Sequence, residues 1–185
     1  LGLKAIPASD DPARAAQRFE VMLHLATFLD RLGRREEQEK VLGEAREILE
    51  QLGGAERAIR LFDSLSWMFA NTGRFEEARQ AAERALRTAS EAKDVKGETR
   101  ASKSLGMVAW SLGRLEDARS LYERALKLQP DFPEALNNLG LILGRQGDLE
   151  GAEPYFRRAL AGRPGYAEAA NNLALVLVTR GQDDA

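Results

Sequence analysis

Residues 133–164, PEALNNLGLILGRQGDLEGAEPYFRRALAGRP, decide the fold of this 185-residue chain. Apolar residues recur every three or four positions on both sides of Gly147, which predicts two amphipathic helices joined at that glycine. Gly140, Ala152 and Ala159 fall where two such helices would have to approach closely, and Pro164 closes the stretch. The stretch therefore predicts an antiparallel helical hairpin.

The same pattern recurs along the chain in register with the turn glycine. The turn glycines are Gly33, Gly73, Gly113, Gly147 and Gly181, at spacings of 40, 40, 34 and 34 residues. A leucine stands eight residues before each glycine and is followed by a small residue, and an alanine stands twelve residues after each of the first four. Recurrence at a nearly fixed period is the signature of a repeat protein.

This combination of leucine, glycine, alanine and closing proline resembles the tetratricopeptide repeat family, whose unit is 34 residues long. The resemblance implies an all-α solenoid of antiparallel helix hairpins, wound into a right-handed superhelix of about four full units and a final single helix. The first two units are lengthened to 40 residues. We expect one repeat domain over 1–185, with the end of a preceding unit in 1–18 and units at 19–58, 59–98, 99–132, 133–166 and, in part, 167–185.

Cap and break signals predict nine helices after an initial tail. Residues 1–9 resemble the tail of a helix that Pro7 stops, and Asp10 or Asp11 can cap the next helix. The predicted helices are 12–32 and 34–52, 55–72 and 74–92, 96–112 and 114–128, 133–146 and 148–162, and 167–180. The last helix is broadly apolar and unpaired, so we expect a fragment of a larger protein that can self-associate through this helix.

The composition argues against several classes of function. The chain has no cysteine, a single histidine (His24), a net charge of −2 and a pI of about 5.7. These values leave no thiol nucleophile or zinc cluster and no broad positive field for nucleic acid. No phosphate-binding glycine loop occurs, and the longest apolar run is far shorter than the roughly 20 residues that span a bilayer. We expect a cytoplasmic, non-catalytic protein without cofactor or metal that binds neither nucleic acid nor membrane.

The resemblance also implies where a partner binds. In this family the first helix of each unit lines a concave face that receives a peptide or helix of another protein, and Asn138 and Asn172 stand where relatives hold a peptide backbone. The predicted partner-binding patch is Arg60, Trp67, Arg100, Lys103, Met107, Trp110, Asn137, Asn138 and Asn172. Its cationic and aromatic side chains suit a partner segment with acidic and apolar residues.

Two alternatives stay open at this point. Tryptophan is highly buried on average, so Trp67 and Trp110 either belong to the patch or fill gaps between neighbouring first helices. The chain is either a protein-interaction module in its own right or the regulatory or substrate-recruiting arm of a multidomain enzyme, signalling ATPase or transcription regulator. Both functions would use the same concave face.

Overall fold

Glycine residues make the turns between paired helices, as the sequence predicts. The computed structural model describes residues 11–183. In it Gly33, Gly73, Gly113 and Gly147 have φ values of 69°, 75°, 74° and 85°. Glycine adopts this left-handed conformation without the steric cost that a side chain brings. The amide of the residue after each glycine then reaches back to the first helix, for example from Asp148 to the Leu143 carbonyl at 3.0 Å.

Nine α-helices form within residues 11–183, and no strand does. They are α1 (Pro12–Arg31), α2 (Arg35–Leu52), α3 (Ala55–Asn71), α4 (Phe75–Glu91), α5 (Val95–Ser111), α6 (Leu115–Leu128), α7 (Pro133–Arg145), α8 (Leu149–Gly162) and α9 (Ala167–Asp183). The predicted helices agree with these bounds to within one residue, except at the end of α9.

Gly181 is a correction to the sequence analysis. It was aligned with the four turn glycines, but α9 continues through it to Asp183. Glycine permits the left-handed turn without enforcing it, and a glycine inside a helix costs only about 1 kcal/mol relative to alanine. At the other four positions the turn is followed by a second helix that packs back on the first, and within the described residues α9 has no such successor.

Contacts divide the chain, within α5, into an N-terminal body (Leu1–Ser104) and a C-terminal body (Leu105–Ala185). In the N-terminal body, α1 pairs with α2 and α3 with α4, and α3 also contacts α1 and α2. In the C-terminal body, α7 pairs with α8, while α6 contacts α7 and α9 contacts both α7 and α8. Consecutive hairpins are therefore stacked within each body, as repeat units require. The single domain and its five-unit division stay predictions.

Five of the described helices begin in one of two ways, with an aspartate cap or with an arginine at the cap position. Asp11 and Asp148 are side-chain caps that accept hydrogen bonds from the amides of Ala13 at 3.0 Å and Gly151 at 2.8 Å. Arginine instead occupies the cap position of α2, α4 and α6, without a side-chain bond to the backbone. These arginines pair with the acidic residue three positions on, in Arg34–Glu37, Arg74–Glu77 and Arg114–Asp117. The predicted helix tail in residues 1–9 lies outside the described residues.

The predicted close approach of the two helices in 133–164 is confirmed. Ala152 and Ala159 are fully buried, and a Cβ added to Gly140 would lie 2.7 Å from the Phe156 ring. Gly106 has the same relation to the Tyr122 ring, also at 2.7 Å. In both hairpins of the C-terminal body, an aromatic ring on the second helix therefore packs directly on a glycine of the first.

Candidate functional site

The N-terminal body contains a pocket of about 200 Å³ on its first helices. Residues of α1, α3 and α5, together with Gln38 of α2, form its wall: Ala26, Thr27, Asp30, Gln38, Asp63, Ser64, Trp67, Lys103 and Ser104. Two members of the predicted patch, Trp67 and Lys103, thus lie at one pocket. We call this pocket and its lining residues the inner pocket.

Trp67 is neither a core residue nor a freely rotating surface residue. Its side chain is 41% exposed, and its indole N–H donates to the Asp30 carboxylate at 3.0 Å. The same carboxylate forms an ion pair with Arg35, which fixes the acceptor. An exposed ring held by a hydrogen bond at its edge loses little conformational entropy when a ligand packs against it. Trp67 therefore has the properties of a preorganised contact residue.

Lys103 provides a cation inside the inner pocket. It is half-buried, and within the described residues no carboxylate lies within 4 Å of its ammonium group. Asp63 also lines the pocket, but it accepts a hydrogen bond from the Ser104 hydroxyl at 2.5 Å. A half-buried ammonium without an ion-pair partner attracts an anionic group.

The two predicted arginines of this body differ in their availability. Both terminal nitrogens of the Arg60 guanidinium donate to the Glu20 carboxylate at 2.7 Å, an arrangement that satisfies the charge of Arg60 within the protein. Arg100 is exposed and, in the part of the chain that the structure describes, has no carboxylate within 4 Å. Of the two, Arg100 is the cation that remains free for a partner.

In the C-terminal body, Met107 and Trp110 are half-buried. Trp110 packs against the core cluster that includes Ala109, Tyr122 and Leu139. The Arg145 guanidinium covers its ring at 5.0 Å from the centroid, a typical cation–π distance. Trp110 is therefore part core and part surface, and its exposed side already faces a protein cation.

The three predicted asparagines form a polar network in the C-terminal body. Asn172 donates to the Asn137 side-chain oxygen at 2.9 Å, and Asn137 donates to the Asn138 oxygen at 3.5 Å. Asn138 also hydrogen-bonds Tyr122, whose burial raises the pKa of its phenol well above the usual range. These amides link α6, α7 and α9, as expected for polar groups that share a buried site.

Asn137 is a second correction. Its position in the repeat predicts that it lies on the binding patch, but it is only 1% exposed, because α9 packs over this part of α7. Asn138 and Asn172 remain half-buried, and their peptide-binding role stays a prediction. The equivalent of Asn137 in α9 is Asn171, which is exposed. Burial at this repeat position thus depends on the helix that follows.

Sequence reasoning missed Asp30 and Gln38 in the inner pocket. Both residues lie in the first repeat unit, outside the units that contribute to the predicted patch. Asp30 stands three residues before its turn glycine, as Ala70 does in the next unit. That register is the signal that would have identified it.

The remaining surface offers few other candidates for chemistry. No group of three or more His, Cys, Asp or Glu side chains suited to a metal ion occurs among the described residues, and His24 is exposed. In the same residues, no helix combines the length and apolar character needed to cross a bilayer. On α9, Leu175, Leu177 and Val178 are 66%, 43% and 59% exposed. Self-association through this helix stays a prediction.

Several solved structures are similar to this chain. A crystal structure of BtubC (BKLC) from P. vanneervenii has 22% identity and a TM-score of 0.76, covering 92% of this chain and 76% of that one. The APC/C hetero-tetramer Cut9-Hcn1 has 17% identity and a TM-score of 0.68, covering 84% and 29%. An O-GlcNAc transferase mutant from Thermobaculum terrenum has 25% identity and a TM-score of 0.59, covering 66% and 22%. The chain spans less than a third of the last two.

Family comparison agrees with this structural likeness. One family model described as tetratricopeptide repeat matches residues 103–167 and 143–185, and a second matches residues 70–131. Together the two models span 70–185, more than half of the chain. No curated protein matches the sequence. The fold is an all-α solenoid of helix hairpins, and the chain belongs to the tetratricopeptide repeat family.

Proposed function

We propose that this protein binds a peptide or helix of a partner protein through the inner pocket of its N-terminal body. Repeats of this family serve generally as scaffolds for protein–protein interaction. The observation that carries the specific proposal is the placement of Trp67 and Lys103 at one pocket, the first exposed and the second without an ion-pair partner. Tryptophan is among the residues enriched in interface hot spots.

The chemistry of the inner pocket defines the partner segment. Lys103 is suited to a carboxylate, and Arg100 on the same helix supplies a second free cation. The Trp67 ring offers an apolar surface for an aliphatic or aromatic side chain. Because Arg60 is neutralised by Glu20, we assign it a structural role. The partner segment therefore combines at least one carboxylate with an apolar residue.

The test compares variants of the two pocket residues. A partner is captured with the parent protein, and its binding segment is mapped and synthesised. Lys103→Glu combined with Trp67→Ala should weaken the affinity for that peptide by about 2 kcal/mol or more, and leave the melting temperature nearly unchanged. Trp110→Ala is the matched control, because Trp110 packs on a core cluster and its loss should lower stability. Unchanged affinity in the double variant would refute the assignment.

A second candidate function rests on the O-GlcNAc transferase likeness. In a multidomain enzyme, the same inner pocket would recruit the substrate protein to a catalytic domain outside this chain. The gene sequence upstream of the codon for Leu1 and downstream of the codon for Ala185 distinguishes the two functions. An adjoining catalytic domain would favour the recruiting arm, and a gene encoding repeats alone would favour the free-standing module.

A further inference from the structure

A second, larger groove lies on the other side of α3 in the N-terminal body. Its volume is about 440 Å³. Phe62, Leu65 and Phe69 of α3 form its floor, with Arg46 of α2 on one rim and Arg84 and Arg87 of α4 on the other. We call it the outer groove. At about 100° per residue, its floor residues project from α3 roughly opposite to Asp63, Ser64 and Trp67 of the inner pocket.

The outer groove is open because α4 presents small side chains to α3. The residues that α4 buries are all alanine: Ala78, Ala81, Ala82, Ala85 and Ala89. Ala81 lines the groove, and Leu65 and Phe69 beside it remain partly exposed. Beside these alanines the polar side chains of α4 line the groove, and that of Arg84 lies over the Phe62 ring.

In the outer groove the carboxylates have ion-pair partners, whereas two of the arginines do not. Its two carboxylates are already paired, Glu77 with Arg74 at 2.8 Å and Glu83 with Arg79. Arg84 and Arg87 have no carboxylate within 4 Å among the described residues. Arg46 has only a long contact of 3.7 Å with Glu50. The groove thus presents two free cations on its α4 rim, Arg84 and Arg87.

The Arg84 side chain is oriented so that its N–H groups can bind a ligand. Its guanidinium lies over the Phe62 ring, 4.2 Å from the centroid. Stacking uses the flat face of the guanidinium, so that its N–H groups, which lie in the plane, remain available for a carboxylate. The same stacking restricts the side chain before any ligand arrives, which lowers the entropy cost of binding.

We propose that the outer groove is a second docking site, for a protein segment in which one aromatic or leucine side chain is flanked by carboxylates. The apolar side chain would pack on Leu65 beside Ala81, at the edges of the Phe62 and Phe69 rings, because Arg84 and Arg74 already stack on these rings. The flanking carboxylates would bind Arg84 and Arg87. This site is separate from the inner pocket, so the protein could hold two partner segments at once on opposite faces of α3.

The test uses a defined probe, the fluorescein-labelled peptide EEDFLDEE with blocked ends. Fluorescence anisotropy should show saturable binding to the parent protein. Arg87→Glu should weaken this binding at least about tenfold, because it replaces an attraction by a repulsion. Arg87 is exposed and is the safer single variant for folding, while Arg84→Glu with Arg87→Glu should abolish binding. Ala81→Leu should also weaken it by filling the groove.

Two controls locate the site and define its chemistry. Lys127→Glu, at an exposed cation of α6 that lines neither the inner pocket nor the outer groove, should change the affinity less than about twofold. The peptide EEDGSDEE, which has the same charge without the apolar pair, should bind at least about tenfold more weakly. The proposal is overturned if EEDFLDEE shows no saturable binding, if Arg87→Glu binds like the parent, or if EEDGSDEE binds equally well.

Discussion

The α3/α4 and α7/α8 hairpins share one repeat signature but carry their buried aromatic side chains on opposite helices. In α7/α8, Phe156 of the second helix packs on Gly140 of the first. At the same distances from the turn glycine, α3/α4 has Ala82 and Ser66. Its bulk comes from the first helix instead, where Phe62 is buried.

This difference explains why the outer groove of α3/α4 has an aromatic floor. A ring on the second helix fills the space next to the first helix, as Phe156 does beside fully buried Ala152. A row of alanines on the second helix leaves space, and the rings of the first helix then line an open surface. The repeat signature determines the spacing of the helices, whereas the distribution of large side chains between the two helices determines where a groove stays open.

The largest change in stability is expected from a substitution of Phe156. Replacement by alanine, the residue that α3/α4 has at this position, should cost about 3 to 5 kcal/mol of unfolding free energy, since a buried ring is lost opposite a glycine that cannot fill the cavity. Urea denaturation followed by circular dichroism measures the loss. Arg157→Ala on the exposed side of the same helix is the control and should change stability by less than about 0.5 kcal/mol. A loss below about 1 kcal/mol for Phe156→Ala would contradict the packing.

A smaller effect is expected at Gly140. Gly140→Ala should destabilise by about 1 to 3 kcal/mol, because the new methyl group would lie 2.7 Å from the Phe156 ring. Gly144→Ala in the same helix is a matched control, since nothing lies within 4 Å of its added methyl group. That variant should gain up to about 1 kcal/mol from helix propensity. Equal effects of the two variants in thermal unfolding would show that the close contact is absent.

The smallest effect concerns Ser66, the counterpart of Gly140 in α3/α4. Its hydroxyl is buried without a hydrogen-bond partner among the described residues. Ser66→Ala should therefore stabilise the protein, by about 1 kcal/mol, through removal of an unsatisfied polar group. Ser104→Ala should have the opposite sign, because its hydroxyl donates to Asp63. Destabilisation by Ser66→Ala in urea titrations would indicate that the hydroxyl has a partner after all.

Much of the fold was predictable because its determinants are local. The left-handed φ at four of the turn glycines, the nine helices and the close approach at Gly140 all follow from signals within one repeat. The same locality explains the error at Gly181, where glycine permits a left-handed turn without enforcing it. Trp67 and Lys103, which the register assigns to the first helices of neighbouring units, line one pocket, and their role in binding stays a prediction.

The availability of the site residues was decided by tertiary structure. Whether Arg60 is free depends on Glu20, 40 residues away, and Trp67 is fixed by Asp30, 37 residues away. Asn137 is buried by a helix 35 residues further on. Sequence determines which side chains point to a given face, because that needs only the helical period. Whether these side chains remain unpaired depends on how neighbouring hairpins pack against each other. The same packing determines where a groove opens between α2 and α4.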